Sequence, residues 1–262
     1  MRKIATPLIV LALIAFAVPA LAASLLTEPF TYPDGNLSGN GGWAVYSGTI
    51  PTDVQIVSGR AEGTGNNAPD DHVLFAAQPT TSKTYACFKV KIADPGGAPK
   101  AVYFAELKDA GSSLLVSRTY VLPLTAGGWT FGISHSSTNT TTASITPWGP
   151  ALNYGQEYNI VINYDPVNHS STLWVDPVNE SSTSVTDVNA TATAIGVTGF
   201  GLRQSGTASA FIPNAVFGAG TVNWAYSVDD LGVGTSMADA CNTGVVPVQR
   251  STWGTVKQIY RK

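Results

Sequence analysis

Apolar and polar residues alternate in short runs along most of the chain, with turn residues between the runs. The clearest run spans 157–177, EYNIVINYDPVNHSSTLWVDP. Tyr158, Ile160, Ile162 and Tyr164 fall on one side of a period-two pattern, Asp165-Pro166-Val167-Asn168 forms a turn, and Leu173 and Val175 alternate again beyond it. The pattern predicts an antiparallel hairpin with one face in a core. Its other face carries Asn159, Val161 and Asn163 from the first strand and Thr172 and Trp174 from the second. An aromatic ring beside amides and hydroxyls suits a sugar, although strands also use tryptophan for packing alone.

The same alternation predicts strands at 72–77, 83–92, 101–109, 113–124, 127–135 and 221–234. Within 83–92, Ala86, Phe88, Val90 and Ile92 oppose Tyr85, Cys87 and Lys89, so Cys87 is expected to face away from the core. Turn signals such as Pro33-Asp34-Gly35 and Asp94-Pro95-Gly96-Gly97 separate the runs. Short, evenly spaced strands of this kind describe an all-β sandwich or jelly roll of two antiparallel sheets. The last stretch differs: in RSTWGTVKQIYRK, Thr252 is placed to cap a short helix with Trp253, Val256 and Ile259 or Tyr260 on one side and basic residues around it. Residues 242–262 therefore read as a linker followed by a short amphipathic tail.

The N-terminus changes the cellular picture. Arg2 and Lys3 precede an apolar run that ends in Ala20-Leu21-Ala22, the layout of a secretory signal peptide over 1–23, with cleavage after Ala22 or Ala23. A retained anchor is the competing reading, since the run approaches the roughly 20 residues that span a bilayer. Cleavage leaves no membrane span in the mature chain and predicts a secreted or cell-surface protein. Its single domain then covers 24–241. Of the 262 residues only 12% are charged, and a net charge of −3 supplies no basic footprint for nucleic acid. The two cysteines, Cys87 and Cys241, are expected to form a disulfide in an oxidising compartment; a two-thiol metal site is the weaker alternative.

In order, LLTEPFTYPDG, GGW, AVYFAELKDAGSS, GWTFGISHSST, YGQEYNIVINYD, STLWVDPVNES, GFGLRQSG and SVDDLGVGTS resemble the laminin-G-like domains of the concanavalin A-like lectin/glucanase superfamily found in secreted bacterial proteins. The resemblance covers about residues 24–240. It implies a two-sheet jelly roll, a carbohydrate or protein ligand on one sheet face or at rim loops, and frequent structural calcium. Lectins, binding modules, adhesins and polysaccharide-cleaving enzymes share this fold, so the fold does not choose among them.

The candidate chemistry is sparse. The E-x-D-x-x-E acid motif of the superfamily's glucanases is missing, and no G-x-S-x-G elbow is present. Glu106 and Asp109 are the nearest pair of acids, with Glu106 read as an exposed strand residue or as half of a pair with Lys108 or Arg118. A hydrolase or lyase therefore stands as the alternative to a non-catalytic carbohydrate- or surface-binding domain, and a structural or adhesive surface protein as a third reading. The expected ligand-binding residues are Trp174, Asn159, Asn163, Arg203, Arg118 and Thr130, and the expected partner is a polysaccharide, a glycan or a surface protein. Asp229 in SVDDLGVG shares the side of Leu231 and Val233 if the alternation is unbroken. That leaves two options: a structural calcium with Asp230 and Glu28, or a carboxylate satisfied by backbone N–H groups. Asp70 and Asp71 form a second candidate for calcium.

Overall fold

A computed structural model of the chain describes residues 24–48, 53–64, 68–111, 113–135, 145–204 and 221–242. The segments read as a signal peptide and as an amphipathic tail lie outside the described residues.

Two antiparallel sheets carry the fold. In spatial order the first contains β14 (Ser184–Val188), β13 (Ser170–Val175), β12 (Glu157–Asp165), β7 (Thr84–Ile92), β16 (Ala225–Gly234), β5 (Arg60–Thr64), β4 (Gln55–Val57) and β2 (Gly35–Asn36), and β1 (Ser24–Glu28) pairs with β16. The second contains β11 (Thr146–Pro147), β10 (Trp129–Ser134), β9 (Leu115–Pro123), β8 (Val102–Lys108), β15 (Val197–Leu202), β6 (Asp70–Gln78) and β3 (Trp43–Ser47). Strands distant in sequence neighbour one another, as in β7 between β12 and β16, which is the crossing pattern of a jelly roll.

The period-two residues fill the space between the sheets. Tyr158, Ile160, Ile162, Tyr164 and Leu173 of the hairpin, with Phe88, Val90 and Val228, meet Phe104, Val121, Phe131 and Phe200 of the second sheet in one buried cluster. Phe88 bridges the layers, with ring centroids 6.3 Å from Phe104 and 5.6 Å from Phe200. The core accounts for the regularity of the strands; two local breaks account for where the sequence reading fails.

One break is a bulge in β16. Registration with β7 shifts between Asp229 and Gly232, and Asp230 adopts φ 49°. The extra residue flips the alternation, so Val228 and Leu231 both face the core while Asp229 and Asp230 both face outward. The expectation that Asp229 shares the side of Leu231 is corrected accordingly.

The second break is a cover over the hairpin. Ser236 caps a short helix, α1 (Met237–Cys241), accepting a hydrogen bond from the Asp239 N–H at 3.2 Å. Cys87 and Cys241 are bonded, with their Cα atoms 5.1 Å apart, which fastens α1 to the outer face of β7. Met237 and Ala240 pack there against Tyr85, Cys87, Val161 and Trp174. The hairpin face read as open is closed.

Candidate functional site

Six residues were expected to line a ligand site, and the structure divides them between the two sheets. On the first sheet, Trp174 is only 6% exposed under α1, and its indole N–H donates to the Glu180 carbonyl at 3.4 Å. Asn163 is buried beside it and donates to the Thr84 carbonyl at 3.4 Å. Asn159 borders a cleft of about 420 Å³ between residues 177–181 and α1, whose lining carries no aromatic ring among the described residues. Trp174 and Asn163 are thus packing residues in this arrangement, which corrects their reading as a solvent-facing platform.

Arg118, Arg203 and Thr130 lie on the second sheet. Directly paired residues of neighbouring strands point to the same face. Gly201 sits opposite both His72 and Glu106, Tyr120 opposite Tyr103 and Gly132, and Arg118 opposite Ser134. The face away from the core therefore collects polar and aromatic side chains from β3, β6, β8 and β9, with Arg203 just after β15. Thr130, opposite Leu122, shares this face toward the β10 end and is fully buried.

Two local features shape the cluster. Between the pairs Ala105–Thr119 and Leu107–Val116, β8 contributes one residue, Glu106, and β9 two, Ser117 and Arg118. Ser117 takes up this bulge at φ 49° and turns its hydroxyl inward to the Asn163 carbonyl, 3.0 Å away, so Arg118 is aimed outward across from Glu106. Left-handed backbone at a serine costs about 1 kcal/mol and is concentrated near functional sites. The glycine in β15 supplies the space: a Cβ on Gly201 would fall 2.3 Å from Glu106 Oε1 and 3.4 Å from the Tyr46 hydroxyl.

Across that gap the Tyr46 hydroxyl donates to Glu106 Oε1. Tyr46 stacks on His72 with centroids 5.1 Å apart, and the Lys108 ammonium lies 4.6 Å from the Tyr46 ring and 3.0 Å from His72 Nδ1. Lys108 also donates to the carbonyls of Asp109 and Gly111. Next to this group Tyr103 has a guanidinium on its ring from each arginine, Arg203 at 4.1 Å and Arg118 at 5.1 Å. Arg203 reaches Asp70 at 3.9 Å, while Arg118 also approaches the Tyr120 ring at 6.0 Å.

Burial sets the protonation of this cluster. Desolvation, reinforced by Asp70, pushes the Glu106 carboxyl up to about 7 against the lowering effects of Tyr46, Arg203 and Lys108. Desolvation and the Lys108 charge lower His72, which leaves a neutral imidazole positioned to accept from Lys108. Tyr103 rises to about 12, chiefly through burial and then through Glu106. Glu106 is thus a buried acid near its midpoint at neutral pH, not the exposed strand residue expected of it.

The acids read as calcium ligands are separated. Glu28 accepts from the Phe30 N–H at 2.7 Å, the Tyr32 hydroxyl at 2.7 Å and the Trp43 indole at 2.9 Å. Asp229 pairs with Arg60 at 2.8 Å and Asp230 with Lys89 at 2.7 Å. Asp70 accepts from the Gln204 N–H, whereas its neighbour Asp71 points inward to Val54 N–H, so consecutive strand residues diverge. Among the described residues no group of three His, Cys, Asp or Glu side chains gathers to hold a metal ion.

No family model matches the chain, and neither does any curated protein. Solved structures do resemble it. A sialidase is similar at 12% identity and TM-score 0.54 over 84% of this chain and 19% of the sialidase chain. The CBM2 module of the evolved Dit protein of Lactobacillus casei BL23 phage J-1 is similar at 13% identity and TM-score 0.51 over 82% and 96% of the two chains. Alginate lyase A1-II′, of polysaccharide lyase family 7, aligns at 10% identity and TM-score 0.45 over 69% and 82%. The fold is a jelly-roll sandwich of two antiparallel sheets.

Proposed function

We propose that this is a secreted carbohydrate-binding domain whose ligand lies on the outer face of the second sheet, over Tyr103. The single observation that carries this reading is the pair of arginines gathered on one tyrosine ring, beside the Glu106–Tyr46 hydrogen bond that occupies the space left by Gly201. Aromatic faces take the apolar face of a pyranose and guanidinium groups bond its hydroxyls, so the constellation has the parts of a polar-aromatic sugar site. The phage CBM2 module of the same fold is consistent with this use. Screening the mature protein against soluble and insoluble polysaccharides tests it. Binding that Tyr103→Ala removes from a folded protein supports the reading; a well-folded protein that binds no glycan turns the reading toward a structural or adhesive surface role.

A second reading follows from Glu106. A carboxyl titrating near 7 and hydrogen-bonded to a tyrosine is suited to general acid–base work on a polysaccharide. Shortening of a bound polymer, lost on Glu106→Gln while binding persists, would establish catalysis.

A further inference from the structure

We propose that Arg118 captures an acidic group, so that the saccharide bound on this face is a polyanion carrying carboxylates, such as a uronic acid polymer. The inference rests on the carbohydrate reading of the same face and names the chemistry of its ligand.

The argument begins with charge satisfaction. Arg118 is 2% exposed, yet its Nε and Nη2 are buried without a hydrogen-bond partner, and it makes no ion pair among the described residues. The other cations on this face are engaged: Arg203 by Asp70, Lys108 by His72 and two backbone carbonyls. The rings of Tyr103 and Tyr120 attract the flat face of the Arg118 guanidinium, but its N–H groups lie in the guanidinium plane and the rings leave them unmet. A buried donor left unmade is costly, and a charged one more so. A carboxylate is the group whose two oxygens match the guanidinium fork.

Placement strengthens the case. The bulge aims Arg118 outward while Ser117, in a left-handed conformation, turns its hydroxyl inward to Asn163 and Ser171. The facing acid, Glu106, is mostly neutral below about pH 7 and has one buried oxygen, Oε2, without a partner. Its protonated form donates to a ligand oxygen and does not compete for the arginine. Arg118 is therefore a buried cation with two unmet N–H groups, beside an acid that is mostly neutral below about pH 7.

The test compares oligogalacturonate, oligoguluronate and hyaluronan oligosaccharides with the same oligomers after reduction of their carboxyls to alcohols, by calorimetry on the mature protein. At least one acidic oligomer is expected to bind roughly tenfold or more tightly than its reduced form, the scale of one charge-assisted hydrogen bond, and Arg118→Gln is expected to abolish that preference. Equal binding of acidic and reduced oligomers, lost in Tyr103→Ala, would overturn the acidic-ligand inference and leave the carbohydrate site standing. Preference that survives in folded Arg118→Gln would overturn the role of Arg118. Failure of every acidic, reduced and neutral glycan to bind would remove the carbohydrate reading and this inference with it. The reduced ligands keep the comparison decisive even where the variant does not fold.

Discussion

Asp71→Asn should remove a large part of the pH dependence of stability. Asp71 is fully buried between β6 and the start of β4, where it accepts from the Val54 N–H at 3.1 Å. Asp53 is buried beside it and accepts from the Ser38 N–H and hydroxyl. One oxygen of each acid, Oδ1, has no other partner. Desolvation first, and then the Asp53 carboxylate, push Asp71 from 3.8 up to about 8. The folded protein therefore keeps a proton that the unfolded chain releases near pH 4. Its stabilising effect is complete below pH 4, shrinks as pH rises, and is gone once pH passes about 8. At about 1.4 kcal/mol per pH unit, this is on the order of 5 kcal/mol across the window. Asparagine keeps the shape, accepts from Val54 and donates permanently to Asp53. Urea unfolding at pH 4, 6 and 8 should show the wild type losing several kcal/mol relative to Asp71→Asn, with the variant the more stable at pH 8. Glu106 and Asp229 are raised in the same sense and His72 and His135 are lowered in the opposite sense, but these contributions cancel in the difference between the two proteins, whereas Asp70, whose charge also raises Asp71, belongs to the effect measured. A wild type and variant that track each other from pH 4 to 8 would refute the argument that folded Asp71 keeps its proton.

Replacing both Cys87 and Cys241 by alanine should cost about 3–5 kcal/mol, because the bond closes a loop with a sequence separation of 154. It should also shift tryptophan fluorescence to the red as α1 leaves Trp174; an unchanged urea midpoint and spectrum would contradict the role given to this strap. Binding of an acidic oligosaccharide should weaken as pH rises through about 7, where Glu106 gains charge among Tyr46 of β3, Asp70 of β6, Lys108 of β8 and Arg203 after β15. Glu106→Gln should flatten that profile, measured by calorimetry between pH 5.5 and 8.5, and a profile that keeps its inflection in the variant would place the titrating group elsewhere.

Much of the architecture was legible in the chain. Period-two runs located β7, β8, β10, β12 and β13, and the side assigned to Cys87 left it facing Cys241. Alternation fails where the backbone gains a residue: the bulges at Asp230 and Ser117 are single left-handed positions that no glycine or asparagine advertises. Trp174 was misplaced because a five-residue helix shows almost no hydrophobic period, although Ser236-Met237-Ala238-Asp239 is a readable capping pattern. The site itself was only partly visible. Arg118 and Arg203 were candidates, but Tyr46, His72, Tyr103, Glu106 and Lys108 meet through strand neighbours far apart in sequence, and only the alternate glycines of Gly199-Phe200-Gly201 hinted at a gap on that face. Glu106 looked exposed because its neighbours at period two, Lys108 and Phe104, gave opposite signals; the register shifts in β8 explain both.

The central claim, that the working face belongs to the second sheet and not to the hairpin, is tested most directly by one paired measurement. Tyr103→Ala and Trp174→Ala are compared with the wild type for binding to the same glycan panel, with circular dichroism as the check on folding. The account predicts that Tyr103→Ala loses binding while remaining folded. Trp174→Ala should lose about 3 kcal/mol of stability on emptying its site under α1, yet bind at the wild-type level where it is folded. Binding abolished by Trp174→Ala in a folded protein and unaffected by Tyr103→Ala would contradict it.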